Sequence, residues 1–195
     1  SKDPKFTTIV DNFEGKRFNS PNDLAISKSG DIYFTDPPYG FKNFSDKYRE
    51  IDFNGVYKYS KDGEVSLISG KMSRPNGIAL SIDEKYIYVN NSDPKNDPKI
   101  LRFTTSNFEE KLFFDGTELS KKYPGGFDGL KVHSSGNIFT TGPNGILIIS
   151  PNGKLLAMIN YGKKITNCNF DNNEDYLYVT GFDDISRIKL KWKKY

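Results

Sequence analysis

Asn22, Asn76 and Asp128 are the residues whose types and spacing could do chemistry. Each stands immediately before an apolar pentad: Asn22-Asp23-Leu24-Ala25-Ile26, Asn76-Gly77-Ile78-Ala79-Leu80 and Asp128-Gly129-Leu130-Lys131-Val132. Side chains carrying amide or carboxylate oxygens at one shared register suit a hard cation such as Ca²⁺, with water completing the shell. The same residue types also close turns on their own backbone, and that reading stands for any one of them alone. A turn role does not require the same register in successive units, so the coincidence favours a common site. Asp128 is the carboxylate of the set and the candidate general base. His133, the single histidine, is expected to be structural or solvent-facing, and Cys168 to be a small core residue. Asp36, in Asp36-Pro37-Pro38-Tyr39-Gly40, could reach a pocket mouth or could simply open the turn that the prolines stiffen.

The elements that must position these residues are strands. Alternation at period two recurs in Ile32-Tyr33-Phe34-Thr35, Tyr86-Ile87-Tyr88-Val89, Asn137-Ile138-Phe139-Thr140 and Tyr176-Leu177-Tyr178-Val179, and no stretch carries a helical period of ten residues. Turn signals such as Lys61-Asp62-Gly63 and Pro151-Asn152-Gly153 separate the strands. A fourth unit, Thr166-Asn167-Cys168-Asn169-Phe170, precedes Leu177, so units begin near 22, 76, 128 and 166. Four short strands per unit of this length predict an all-β propeller of antiparallel blades, in which the start of each unit lies at the mouth of the central channel. Residues 7–10 read as an outer strand of a blade begun earlier, and residues 185–190 as a third strand without a fourth. The whole is expected to be one propeller domain over residues 1–195, with its first blades absent.

Composition limits the function. The 195 residues carry 28 Lys+Arg against 25 Asp+Glu, interspersed, for a net charge of +3, so nothing demands a nucleic acid or an anionic membrane as partner. Apolar runs are strand-length, no segment near Ser1 reads as a leader, and one cysteine forbids an internal disulfide. The charged run over residues 189–194 is expected to be an exposed strand end.

The motifs Asn19-Ser20-Pro21-Asn22-Asp23, Phe34-Thr35-Asp36-Pro37-Pro38-Tyr39-Gly40, Arg74-Pro75-Asn76-Gly77-Ile78-Ala79, Phe127-Asp128-Gly129-Leu130 and Thr166-Asn167-Cys168-Asn169-Phe170 occur in an order that resembles the gluconolactonase branch of the SMP-30/gluconolactonase/luciferin-regenerating family. The resemblance implies a six-bladed propeller, of which about four blades are present here, hydrolysing sugar lactones with one divalent metal, usually Ca²⁺, with Zn²⁺, Mn²⁺ or Mg²⁺ as alternatives. It implies Asn76 and Asp128 as metal ligands, Asp128 as base and Asn22 as the substrate-facing residue. The family's early glutamate ligand has no counterpart, so calcium affinity near 10⁻⁴ to 10⁻³ M, roughly, is expected from a single carboxylate. A non-catalytic propeller that binds a sugar or a protein, and a hydrolase of other esters or organophosphates, are the alternatives. The compartment is not legible.

Overall fold

The computed structural model describes residues 6–44 and 47–191. The leader expectation near Ser1 and residues 192–194 of the charged run lie outside them. A two-residue hairpin, β1 (Asn12–Phe13) and β2 (Lys16–Arg17), precedes four larger antiparallel sheets. The first holds β3 (Leu24–Ile26), β4 (Ile32–Asp36), β5 (Gly55–Tyr59) and β6 (Val65–Ser69). The second holds β7 (Pro75–Leu80), β8 (Tyr86–Asn91), β9 (Lys99–Thr104) and β10 (Glu110–Asp115). After a short helix, α1 (Thr117–Lys122), the third holds β11 (Leu130–Val132), β12 (Ile138–Gly142), β13 (Gly145–Ile149) and β14 (Leu155–Asn160). The last has three strands, β15 (Ile165–Phe170), β16 (Tyr176–Gly181) and β17 (Ile185–Lys189). Every sheet is a meander of hairpins, and the four sheets are propeller blades. The expected third strand at the C-terminal end is β17. Residues 7–10, expected as a strand, are irregular instead: Ile9 and Val10 lie beside Phe18, Leu24 and Ile32 and pair with no ladder.

The sheets pack in chain order through their inner strands, β3 and β4 on β7, β7 on β11, and β11 and β12 on β15. Each junction is apolar. Tyr33 and Val56 meet Ile78, Ile87 and Phe103; Tyr88 and Ile100 meet Leu130, Ile138 and Leu147; Phe139 and Ile146 meet Cys168, Leu177 and Val179. One repeat position shows the logic. Ile78, Leu130 and Cys168 are 1%, 0% and 3% exposed, each covered by the preceding sheet, whereas their counterpart Leu24 is 56% exposed. The first sheet's outward face is therefore open, as is the last sheet's, where Tyr178 and Ile185 face solvent. His133 is a buried packing residue: its Nδ1 pairs with Ser135 Oγ at 2.9 Å, its Nε2 lies 3.1 Å from Glu174, and Phe170 meets its ring edge-on. Cys168 is core, and burial pushes its thiol up to about 12, which makes it chemically quiet.

Candidate functional site

The start of each unit is positioned by hydrogen bonds that cross from one sheet to the next. The Gly77 amide donates to the Asp128 carbonyl at 3.1 Å, and the Gly129 amide donates to the Thr166 carbonyl at 2.9 Å. These approaches require glycine, because a Cβ at Gly77 would sit 2.1 Å from the Asp128 carbonyl oxygen, and one at Gly129 would sit 2.0 Å from Asn167 Oδ1. The first unit has Asp23 where the next two have glycine. There the Thr35 hydroxyl bridges instead, donating to the Asn76 carbonyl at 2.8 Å. Asp128 is the most firmly held of the candidates. Its carbonyl also accepts from Asn90 Nδ2 at 2.6 Å, and its amide donates to Thr141 Oγ1 at 2.8 Å.

Asn76 and Asp128 are brought near each other, close enough for the Asn76 side chain to favour the Asp128 carboxylate. Burial, with a smaller repulsion from Asp23, raises the Asp128 carboxyl to about 6 against the opposing effect of Asn76. Asn76 is buried, and its Nδ2 donates to the Tyr39 hydroxyl at 3.1 Å. Burial raises the Tyr39 pKa, against a smaller opposing effect of nearby Ser92, and keeps the hydroxyl neutral. Asn22 is set apart. Its amide donates to the Thr35 carbonyl at 2.9 Å, but its side chain lines a separate apolar cleft of about 180 Å³ with Phe18, Leu24 and Phe34. Asp36 does not reach a pocket. It is fully buried at the end of β4, where its two carboxylate oxygens accept the Asn19 and Ser20 amides at 2.8 and 2.7 Å and so anchor the segment before Asn22.

Asp128 opens onto a cleft of about 530 Å³ between the second, third and last sheets, which Ser92, Asn144, Asn160, Thr166 and the exposed ring of Phe182 also line. That volume suits a small polar molecule. The donor set fits a hard divalent cation: one carboxylate and one amide oxygen are of the right chemistry, and the charge acting on Asp128 is that of Asp23, a repulsion that a cation would relieve. No cluster of three His, Cys, Asp or Glu side chains able to hold a metal occurs among the described residues, so Asp128 would be the charged ligand there. Residue-by-residue reading of the sequence missed Tyr39, Ser92 and Asn90. Asn90 carried a usable signal, since Thr35, Asn90, Thr141 and Thr180 form a polar register one residue before the end of the second strand of each unit. Tyr39 and Ser92 lie in loops outside the repeat.

A gluconolactonase of Zymomonas mobilis is 39% identical over 199 residues, covering 95% of this chain and 54% of its own length. A lactonohydrolase of Aspergillus oryzae is 24% identical across 95% of this chain and 47% of its own length. The chain thus spans about half the length of these curated relatives. Among solved structures, a gluconolactonase of Xanthomonas campestris superposes with a TM-score of 0.81 at 29% identity, covering 93% of this chain and 61% of that one. Residues 1–182 match the SMP-30/Gluconolactonase/LRE-like region, and the chain belongs to that family.

Proposed function

We propose that this chain carries the hydrolytic centre of a metal-dependent sugar lactonase, with Asp128 as general base. The observation that carries the reading is a half-buried carboxylate with a value near 6, clamped at both its amide and its carbonyl, beside Asn76 and at the wall of a cleft of about 530 Å³. The similarity to the Zymomonas mobilis gluconolactonase supports the reaction and the substrate class. A carboxyl poised near 6 is mostly ionised at neutral pH yet still basic enough to take a proton from water.

The reaction is addition of water across an ester bond. Asp128 removes a proton from a water molecule as its oxygen attacks the lactone carbonyl carbon. The ring C–O bond then breaks, and Asp128 returns the proton to the departing ring oxygen, so lactone and water give an open-chain hydroxy acid. A bound divalent cation, Ca²⁺ before Zn²⁺, Mn²⁺ or Mg²⁺, supplies Lewis-acid polarisation of the ester carbonyl, and Asn76 and Asp128 would hold it. Asn144 and Asn160 offer hydrogen bonds to sugar hydroxyls, and Phe182 offers an apolar ring at the rim. Asn22, expected as the substrate-facing residue, lines a cleft separate from that of Asp128 and takes no part in this reading.

The test is steady-state hydrolysis of D-glucono-1,5-lactone, corrected for spontaneous opening. Asp128→Asn should lower kcat by about 10²- to 10⁴-fold, and the wild-type kcat/KM should fall with acid as the Asp128 carboxylate is protonated. Retention of most of the activity by Asp128→Asn would remove the mechanism. The single carboxylate at the site favours one other reading, a propeller that binds a sugar without turning it over; saturable lactone binding by the wild-type chain with no calcium-dependent hydrolysis would select it.

A further inference from the structure

We propose that Asn90 is a positioning residue for Asp128: from inside the junction of the second and third sheets, its side-chain amide holds the Asp128 main chain and so aims the carboxylate. The inference rests on the reading of Asp128 as general base and adds to it a residue with no exposed surface. Asn90 shares its register with Thr35, Thr141 and Thr180, for the four face Ile100, Val56, Ile146 and Ile185 respectively across their ladders. Its Nδ2 lies 2.6 Å from the Asp128 carbonyl oxygen and 2.8 Å from Thr140 Oγ1. A carbonyl only accepts, so the atom against it is the NH₂ group, and the orientation of the amide follows. The Thr140 hydroxyl has two carbonyls to donate to, Thr141 at 2.9 Å and Gly129 at 3.4 Å, and so accepts the second N–H. Both donors are spent, and Asn90 Oδ1 has no hydrogen-bond partner among the described residues.

The orphaned oxygen is informative. A buried acceptor without a partner costs the fold stability, and an apolar side chain of like size would remove that cost. Packing alone therefore does not select asparagine here. The other three units carry threonine, and at Thr35 the hydroxyl donates to the first-position carbonyl of the next unit, Asn76, at 2.8 Å. An amide reaches one atom farther than a hydroxyl and brings two N–H groups, and it stands in the unit that precedes the carboxylate. Asp128 consequently has its carbonyl held twice, by the Gly77 amide at 3.1 Å and by Asn90, while its own amide is tied to Thr141 Oγ1 at 2.8 Å. With the main chain fixed on both sides of its Cα, the carboxylate can turn only about its side-chain bonds. A misplacement of about 1 Å costs on the order of 10² in rate, which is the loss this clamp prevents.

The experiment compares Asn90→Val with Asn90→Thr in the full chain, with wild type and Asp128→Asn alongside. Valine and threonine share a shape, and only threonine keeps a donor, which Thr35 shows can reach the neighbouring carbonyl. The readouts are steady-state hydrolysis of D-glucono-1,5-lactone with calcium present, the melting temperature, and deuterium exchange of the Asp128 amide by NMR. Asn90→Val should lower kcat about 10- to 100-fold and leave KM within about threefold. It should speed exchange at Asp128 about tenfold and melt within about 5 °C of Asn90→Thr. Asn90→Thr should recover most of the lost kcat and of the lost protection. Equal kcat in the two variants overturns the assignment, as does a loss of kcat in Asn90→Val without faster exchange at Asp128. A melting temperature for Asn90→Val more than about 5 °C below that of Asn90→Thr overturns it too, because the residue is then structural. Should valine prevent folding, Asn90→Ala against Asn90→Ser makes the same contrast without a branched side chain. An inactive Asp128→Asn beside a fully active Asn90→Val sinks only this inference. Wild-type activity in Asp128→Asn, or no lactone turnover by the wild type, overturns the reading of Asp128 and this inference with it.

Discussion

Asp128→Asn should stabilise the calcium-free chain at neutral pH while destroying its chemistry. The Asp128 carboxyl stands near 6 in the folded chain against an ordinary 3.8, so between those values the native state holds more protons than the unfolded one. Stability therefore falls as pH rises through that interval and stays at the lower level above it. A displacement of about two pKa units corresponds to about 3 kcal/mol, and the partial solvent access of Asp128 brings this toward about 2. Asparagine keeps the shape but loses the favourable effect of Asn76 on the charge, about 1 kcal/mol. The net expectation is a variant about 1 kcal/mol more stable than wild type at pH 7 and equal to it or slightly less stable at pH 4. Asp36, also raised to about 6 by burial, titrates identically in both proteins and cancels in the difference. Urea unfolding at pH 4, 5, 6, 7 and 8 in the presence of a chelator reads it. Calcium at ten times its dissociation constant should then stabilise wild type by about 1.4 kcal/mol and leave the variant unmoved. A stability difference that does not change between pH 4 and 7 would refute the argument, because it would mean that no charge is being buried at this position.

Two further outcomes follow from the packing. Gly77→Ala must move the Asp128 carbonyl or the β7 backbone, since the new Cβ would stand 2.1 Å from that oxygen, so lactone turnover should fall at least tenfold and the melting temperature should drop, read by the hydrolysis assay and by calorimetry. Leu130→Ala should cost about 2 to 4 kcal/mol by urea unfolding, whereas Leu24→Ala, at the same repeat position but 56% exposed, should cost less than about 0.5 kcal/mol; similar costs at the two sites would show that the first sheet's outward face is covered.

The fold was legible because the repeat writes each blade several times over. Period-two alternation marked the second strands, and the pentads beginning at Asn22, Asn76 and Asp128 marked the inner ones. Residues 7–10 misled for a physical reason: Thr7-Thr8-Ile9-Val10 is rich in β-branched side chains, but strand propensity expresses packing against neighbours, and among the described residues no strand pairs with it. Helix α1 escaped notice because its six residues are shorter than any periodicity that a sequence can display, and its capping residue, Gly116, makes no side-chain hydrogen bond. The pair Asn76 and Asp128 was legible from register. Asn22 shows the limit of that argument, for the same register on the first sheet places its side chain at a different cleft, where the first sheet's outward face is open.

Register also explains why chemistry sits at the first position of the unit and structure at the second. The second position, Gly77 and Gly129, must let one sheet's backbone touch the next, and it spends its amide on the neighbour's first-position carbonyl. That bond fixes the first residue's main chain without using its side chain, a carboxylate at Asp128 and a hydroxyl at Thr166, and at Asn76, with its side-chain amide, the Thr35 hydroxyl holds the carbonyl instead. The three differ because only the backbone role is common to them. Thr166 spends its hydroxyl on Thr180, 3.0 Å away within its own sheet, and so leaves the cleft wall polar but not basic. A carboxylate at Asp128 alone, flanked by an amide on one side and a hydroxyl on the other, gives a centre with one proton acceptor. Under the proposed reading, that asymmetry would set which face of a lactone water attacks.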